Sequence, residues 1–271
     1  MDKKGNKIVR LFYLVGVMLL YVSCYSQEVI KGKRISRSND YAITLPNKNN
    51  ANHVRLEVKA GDIASNGGRA EIMAEHSGFE QEYSFSFKIH KYKYELDKHF
   101  ILADWHHSTE LHRIASRKGE NLYSPLVVHL IGDRIVLANR AGRYTGTVGN
   151  LKLDPNFTMN MLRVPINYKG WNTVYVKIKW SDKANGAIYA KINGKELNAE
   201  GVRTTYDMEY PNFFKVGIYR NLTYQTDAIF EFKDMKVGNK RLIPDFNRKL
   251  TGEKNNDPKV IEAVRKKFNQ K

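Results

Sequence analysis

Alternation of apolar and polar residues is the dominant pattern along the chain. Seven segments of seven to ten residues place a hydrophobic side chain at every second position, the period of a β-strand with one buried face. These segments are 53–59, 83–90, 125–131, 174–180, 187–193, 213–220 and 228–237. Turn-forming sequences rich in Gly, Asn and Ser separate several of them, such as Ser-Asn-Gly-Gly at 65–68. The pattern predicts an all-β antiparallel sandwich.

A helical period appears near the C-terminus. Asp257 is suited to an N-cap, and Pro258 then occupies the first helical position. The apolar residues that follow are Val260, Ile261, Val264 and Phe268. We therefore predict a short helix within a tail of residues 251–271, and a single sandwich domain over residues 27–250.

Residues 1–26 have the plan of a secretory signal peptide. A basic front is followed by an apolar run from Leu11 to Val22 and then by small residues, and the run is short for a membrane span. Cleavage after Ser26 would release a secreted protein, extracellular or periplasmic, that begins at Gln27. The alternative is a lipoprotein anchored through Cys24. Because Cys24 is the single cysteine, the remainder of the chain has no disulfide.

The chain is strongly basic. It contains 45 Lys and Arg against 28 Asp and Glu, a net charge of +17. Residues 1–26 hold four of the basic residues and one of the acidic ones, so the rest of the chain carries +14. An exported protein with this charge is expected to meet a polyanion, unless the basic surface serves only solubility. The chain lacks helix-turn-helix, zinc-finger and RRM signatures, so we expect no nucleic-acid partner.

The segment Phe-Phe-Lys-Val-Gly-Ile-Tyr-Arg at 213–220 has an unusual polar side. One strand face carries its apolar residues, and the other carries Lys215, Gly217 and Tyr219, with Arg220 adjacent. At a rise of about 3.3 Å per residue, Lys215 and Tyr219 lie about 13 Å apart on the same face. Gly217 between them leaves room for a ligand to approach the backbone.

Seven stretches, in this order, resemble the heparin lyase I-like and glucuronan lyase-like polysaccharide lyases and are similar also to ulvan lyases. They are GGRAEI (67–72), EYSFSFKI (82–89), ILADWHH (101–107), SPLVVHL (124–130), GWNTVYVKIKWSD (170–182), KINGKEL (191–197) and FFKVGIYR (213–220). The resemblance covers about residues 55–237. It implies a single concanavalin-like β-jelly roll with an open concave cleft for an acidic polysaccharide, cut by β-elimination.

Elimination across C4–C5 of a uronic acid needs three groups. One neutralises the carboxylate, a base removes the C5 proton, and an acid protonates the departing O4 oxygen. The resemblance implies that Tyr219 is the acid, or both acid and base, with neighbouring cations lowering its pKa from about 10. Lys215 and Arg220 are the expected substrate-binding cations.

The other candidate residues leave alternatives open. The resemblance implies that Arg69 reaches the substrate, whereas a salt bridge with Glu71 on the same strand face is the structural alternative. His129 faces either the cleft or the core.

Asp104 stands where related sequences often have Gln, whose amide can neutralise the carboxylate. An ionised aspartate cannot do so. We therefore expect either His106 or His107 to neutralise the carboxylate or to act as the base, and the other to be structural.

The chemistry requires no cofactor; the resemblance allows a structural calcium, for which the sequence identifies no ligands. We expect a monomeric, endo-acting lyase with ulvan as first substrate, followed by glucuronan and heparin-like glycans. The alternatives are a non-catalytic carbohydrate-binding module and a glycoside hydrolase that uses a carboxylate pair from among Glu71, Glu75, Glu80 and Glu82.

Overall fold

The computed structural model describes residues 28–36, 40–62, 67–74, 80–95, 98–221 and 224–246. The predicted signal peptide and C-terminal helix lie outside these residues. The described strands are β1 (Val29–Ser36), β2 (Ile43–Thr44), β3 (His53–Val58), β4 (Gly67–Ala74), β5 (Glu80–Lys91), β6 (Phe100–His106), β7 (Leu126–Ile131), β8 (Arg134–Asn139), β9 (Tyr144–Thr145), β10 (Lys152–Leu153), β11 (Asn160–Pro165), β12 (Asn172–Lys179), β13 (Gly186–Ile192), β14 (Lys195–Val202), β15 (Phe213–Asn221), β16 (Ala228–Val237) and β17 (Lys240–Pro244). The described ranges also contain one α-helix, α1, which covers Thr109–Arg117, and 3-10 turns at Asp40–Ala42 and Ala141–Arg143.

Fifteen of these strands form two sheets that share β1, and β9 and β10 form a separate two-stranded sheet. The front sheet has the order β11-β8-β7-β6-β15-β4-β1, and the back sheet has the order β17-β16-β5-β12-β13-β14, with β3 and β2 added beside β16. The first half of β1 pairs in parallel with β17, and its second half, from Lys33, pairs antiparallel with β4. All other pairs are antiparallel. This is an all-β jelly-roll sandwich, as the sequence predicted.

The core between the sheets is built from the alternating apolar residues. Phe230 and Phe232 of β16 pack against Phe87 of β5, with ring centroids 6.2 and 6.0 Å apart. On the front sheet, Trp105 of β6 packs on Phe214 of β15 at 5.2 Å. All seven predicted segments are strands, because each has one face in this core and the other outside it.

Helix α1 was not predicted. The Ser108 side chain caps it by accepting a hydrogen bond from the Leu111 backbone N–H, and Leu111 and Ala115 are buried. They form a second, smaller core with Leu122, Ala141, Val148 and Tyr206. The helix begins three residues after β6 ends, and its His112 stacks on His107 there. Within the described part of the chain, no helix is long and apolar enough to cross a membrane.

Candidate active site

Polar side chains cluster on the face of the front sheet that is turned away from the main core, here called the polar face. It carries Arg69 and Glu71 of β4, Asp104 and His106 of β6, His129 of β7, and Lys215 and Tyr219 of β15. Their strand neighbours, such as Ala70, Ile72 and Val216, lie in the core. Alternation along four adjacent strands therefore places these polar groups on one surface.

The strand register sets the order of these groups. Tyr219 is paired with Arg69 on one side and with Ile101 on the other, and Ile101 is paired with His129. Lys215 is paired with Asp104. Since neighbouring strands lie about 4.8 Å apart, the Tyr219 and His129 backbones are separated by about 10 Å.

Gly217 has a backbone role that we did not predict. The pairing of β15 with β6 is shifted between Val216 and Tyr219, and Gly217 has a φ of 145°. A Cβ at this position would lie 2.3 Å from the Ala70 carbonyl oxygen. A bulge conformation that only glycine accepts easily, together with the close backbone of β4, explains this residue.

Tyr219 lies between two ring-stacking partners. The guanidinium carbon of Arg69 is 4.6 Å from the centroid of the phenol ring, and the His99 ring stacks on it at 5.2 Å. Burial raises the pKa of Tyr219, and the Arg69 cation only partly opposes this shift. The prediction of a lowered pKa is therefore wrong. The phenol of the free protein is protonated at neutral pH, which suits an acid and not a base.

Two histidines beside Tyr219 are neutral. Burial lowers the pKa of His129 to about 3, and desolvation by neighbouring side chains lowers that of His99 to about 4 although His99 is exposed to solvent; the Arg140 cation adds to both shifts. His129 lies on the polar face and not in the core, because its strand neighbours Val128 and Leu130 point into the core, although it is only 6% exposed. Sequence reasoning missed His99. The signal in the sequence was its spacing: His99 is two residues before Ile101 and so falls on the same face of an extended segment.

Asp104 is held in its ionised form. Its Oδ2 accepts a hydrogen bond from Ser124 Oγ at 2.7 Å and lies 3.9 Å from Lys215 Nζ. Burial raises its pKa, but Lys215, His106 and the Ser124 hydroxyl together outweigh burial and hold the pKa below its ordinary value. Asp104 thus organises Lys215 and cannot neutralise a substrate carboxylate.

Glu71 has the opposite ionisation tendency. It is 3% exposed, and Oε2 lies 3.7 Å from Arg69 Nη1, so the predicted contact between these two side chains is present. Burial raises its pKa in spite of Lys215 and Arg69, and the negative charge of Asp104 acts in the same direction as burial.

The two consecutive histidines have different surroundings. His106 stacks on Phe213 at 5.1 Å, lies beside Asp104 and Lys215, and donates from Nδ1 to its neighbour's carbonyl oxygen at 2.7 Å. His107 is 0% exposed and stacks on His112 at 5.4 Å in the second core. The structure brings His106 to the polar face and leaves His107 beneath it.

Arg220 does not join the polar face. Its guanidinium donates to the backbone carbonyls of Val58 and Lys59 at 3.0 and 2.8 Å and also to that of Thr226, and the residue is 2% exposed. The predicted substrate-binding role is contradicted by this placement, because one residue further along β15 the side chain turns to the inner side of the sandwich.

Arg140 is a cation of the site that the sequence left ambiguous. It follows β8, where its backbone N–H donates to the Pro125 carbonyl, and its guanidinium carbon is 5.7 Å from the ring centroid of Tyr123. Tyr123 is 55% exposed. The backbone of Arg140 lies beside Pro125 at the start of β7, the end of the polar face that carries Asp104 and His106, and its charge acts on Asp104, His99 and His129.

The described residues contain no group of three or more His, Cys, Asp or Glu side chains arranged to hold a metal ion. The structural calcium therefore stays without identified ligands.

Tyrosine, histidines and cations lie together on one outer face of the jelly roll, an arrangement suited to proton transfer on an anionic substrate. The sequence matches the polysaccharide lyase family over residues 26–235. The chain belongs to this family and is a lyase, as the resemblance implied. No curated protein matches the sequence.

Solved structures share the fold. An endo-β-1,4-glucuronan lyase from the fungus Trichoderma reesei superposes with a TM-score of 0.53 at 17% identity, over 76% of this chain and 93% of the other. A family 7 alginate lyase in complex with substrate has a TM-score of 0.51 at 12% identity, over 77% and 85%.

Proposed function

We propose that this protein is an exported lyase that cleaves a uronic-acid-containing polysaccharide by β-elimination on the polar face. The observation that supports this most is the protonated Tyr219 phenol, stacked between Arg69 and the neutral His99. An acid, a neutral base and a cation for a carboxylate are thus adjacent. Family membership supplies the reaction type.

In this mechanism the acid and the base are different residues. A neutral histidine, His99 or His129, accepts the C5 proton; the electrons of the C5–H bond form the C4=C5 double bond, and the C4–O4 bond breaks. Tyr219 gives its phenolic proton to the departing O4. Because the pKa of Tyr219 is raised, a tyrosinate base in the free protein would be unfavourable. A bound carboxylate raises the low histidine pKa values, which makes these rings better proton acceptors.

The cations position the substrate. Arg69 and Lys215 flank Tyr219 along the polar face, and Arg140 lies at its end beside the exposed ring of Tyr123. Such an arrangement attracts the repeated carboxylates of a uronate chain, and the aromatic ring offers a sugar a stacking surface. A chain bound across several strands would be cut internally, so we propose endo action.

Ulvan remains our first substrate, because a sulfated chain suits a protein with a charge of +14 outside residues 1–26. The structurally similar proteins are lyases of glucuronan and alginate, so both belong in the test panel with heparin-like glycans. Export would follow from the signal-like residues 1–26, and the mass of the mature N-terminus distinguishes release at Gln27 from a lipid anchor on Cys24.

The reaction type can be tested directly. Purified residues 27–271 incubated with each polysaccharide should raise ultraviolet absorbance near ~235 nm, because the C4=C5 bond conjugates with the carboxylate produced by elimination. A rapid fall in viscosity before most bonds are cut would accompany endo cleavage. New reducing ends without absorbance would show hydrolysis instead, and binding without new ends would show a binding module.

A further inference from the structure

Glu71 occupies a central position on the polar face that the mechanism above does not use. Its partner on β15 is Gly217, which has no side chain, and the two neighbouring polar-face residues of β15 are Lys215 and Tyr219. Glu71 therefore lies beside the position between Lys215, the binding cation, and Tyr219, the acid. The carboxylate of a sugar whose O4 is at Tyr219 would lie in this space.

The carboxyl group of Glu71 has unused hydrogen-bonding capacity. Oε2 is buried and has no hydrogen-bond partner among the described residues. Arg69 Nη1, at 3.7 Å, is too far for a hydrogen bond. A buried ionised carboxylate without hydrogen bonds is costly, whereas the neutral acid avoids most of that cost.

The charged groups that face Glu71 come from three strands. Arg69 is on its own strand, Lys215 and Tyr219 are on β15, and Asp104 is on β6; the β1 residue paired with Glu71 is Ile35, which does not titrate. Lys215 is shared with Asp104, which lies 3.9 Å from it and is also hydrogen-bonded by Ser124. Lys215 and Ser124 therefore stabilise the ionised form of Asp104, whereas Glu71 Oε2 has no comparable hydrogen-bond donor among the residues that the structure describes.

We propose that Glu71 is a further catalytic residue, whose protonated carboxyl group donates a hydrogen bond to the substrate carboxylate and so neutralises it beside Arg69. This inference rests on the proposed lyase function. It assigns to Glu71 the role that an amide fills where related sequences have Gln in place of Asp104. A neutral carboxylic acid that donates to a developing oxyanion is an established way to stabilise such charge.

The hydrogen bond strengthens as the reaction proceeds. When the C5 proton leaves, negative charge moves onto the carboxylate oxygens, and a donor fixed in a site with little water stabilises that charge most. The proton stays on Glu71 throughout, so no bond to this residue forms or breaks. The substrate carboxylate approaches Glu71 alongside the Arg69 side chain, which is 14% exposed against 4% for that of Glu71.

The protonation state can be measured without any substrate. Infrared difference spectra of the wild-type protein minus Glu71→Gln at pH 7 should contain the carbonyl stretch of a protonated carboxylic acid. Asp104→Asn provides the matched comparison and should remove a carboxylate band instead. A carboxylate band for Glu71 at pH 7 would overturn the proposal, whether or not a cleaved polysaccharide has been found.

Catalysis provides the second measurement. Glu71→Gln keeps a hydrogen-bond donor of the same shape and should lose less than about tenfold in kcat/KM at pH 7, whereas Glu71→Ala should lose about 10²–10³-fold. The wild-type rate should fall as pH rises through the Glu71 pKa, and this fall should be absent in Glu71→Gln. Thermal melting checks that both variants fold.

An ion-pair role for Glu71 gives different results. In that case the rate would fall as pH decreases, and Glu71→Gln would be as inactive as Glu71→Ala; either result excludes the neutral donor. Failure of the proposed lyase function gives a third result: the wild-type protein produces no absorbing product from any polysaccharide in the panel. The infrared spectra still show in that case whether Glu71 is protonated.

Discussion

At the scale of single residues, burial and not net charge sets the chemistry of the polar face. It raises the pKa of Tyr219 and Glu71 and lowers that of His99 and His129. Each shift favours the neutral form, although the protein as a whole is strongly basic. The face therefore presents neutral donors and acceptors between a few cations, which is the distribution that proton transfer beside an anionic substrate requires.

Tyr219→Phe tests the acid most directly. The change removes only the hydroxyl, so the ring can still stack with Arg69 and His99, and the fold should survive. Loss of a proton-transfer group typically costs about 10²–10⁴-fold, and we expect kcat on the best polysaccharide to fall at least that far with little change in KM. A folded variant with near-normal turnover would show that the phenol is a packing residue and that another group protonates O4.

At the scale of elements, β15 positions the site because its bulge lies between Lys215 and Tyr219. The shifted pairing with β6 lets Lys215 meet Asp104 while Tyr219 meets Ile101, in the row that leads to His129. Without the bulge, the acid would be displaced by one residue along β6. The backbone of Gly217 thus determines which side chains stand opposite the substrate.

Gly217→Ala should therefore cost stability as well as activity. Its φ of 145° is unfavourable for alanine, and the new methyl group would lie 2.3 Å from the Ala70 oxygen. We expect a loss of about 1–3 kcal/mol in the free energy of unfolding, measured by urea denaturation. The matched control is Gly194→Ala in the β13–β14 turn, where φ is 81° but no atom lies within 4 Å of the Cβ position, so its loss should be smaller. Equal losses would mean that the close approach of β4 has no effect.

Alternation in the sequence was sufficient to predict the seven strands and the polar faces of β4, β6 and β15, because a side-chain period of two follows from the backbone itself. Alternation also turned Arg220 to the inner face, opposite to Tyr219, but its charge suggested substrate binding, and the prediction followed the charge. Alternation could not separate His106 from His107: that distinction depends on α1, a nine-residue helix whose packing covers His107. Pairing between distant strands, which brings Glu71 opposite Gly217, leaves no local signal.

At the scale of the whole molecule, the basic charge is not uniformly available. On the outer face of the back sheet, Lys177 pairs with Glu80 at 2.7 Å and Lys191 with Glu196 at 2.7 Å. At the polar face, Asp104 is the ionised carboxylate beside Lys215, and burial favours the neutral form of the neighbouring Glu71. Positive potential is thus retained where the substrate is proposed to bind, which would both attract a polyanion and orient it.

Binding of an acidic polysaccharide should therefore weaken steeply as salt increases. The screening length falls from about 30 Å at 0.01 M to about 8 Å at 0.15 M, so the attraction of cations beyond the contact groups is lost first. Titration of the Tyr219→Phe protein with the polysaccharide measures affinity without cleavage. Lys215→Ala should reduce both the affinity at low salt and the slope of its salt dependence, whereas Lys177→Ala, on the back sheet and paired with Glu80, should change neither. Affinity that does not depend on salt, or equal effects of the two lysine substitutions, would show that the basic charge is incidental to substrate binding and would favour a neutral glycan.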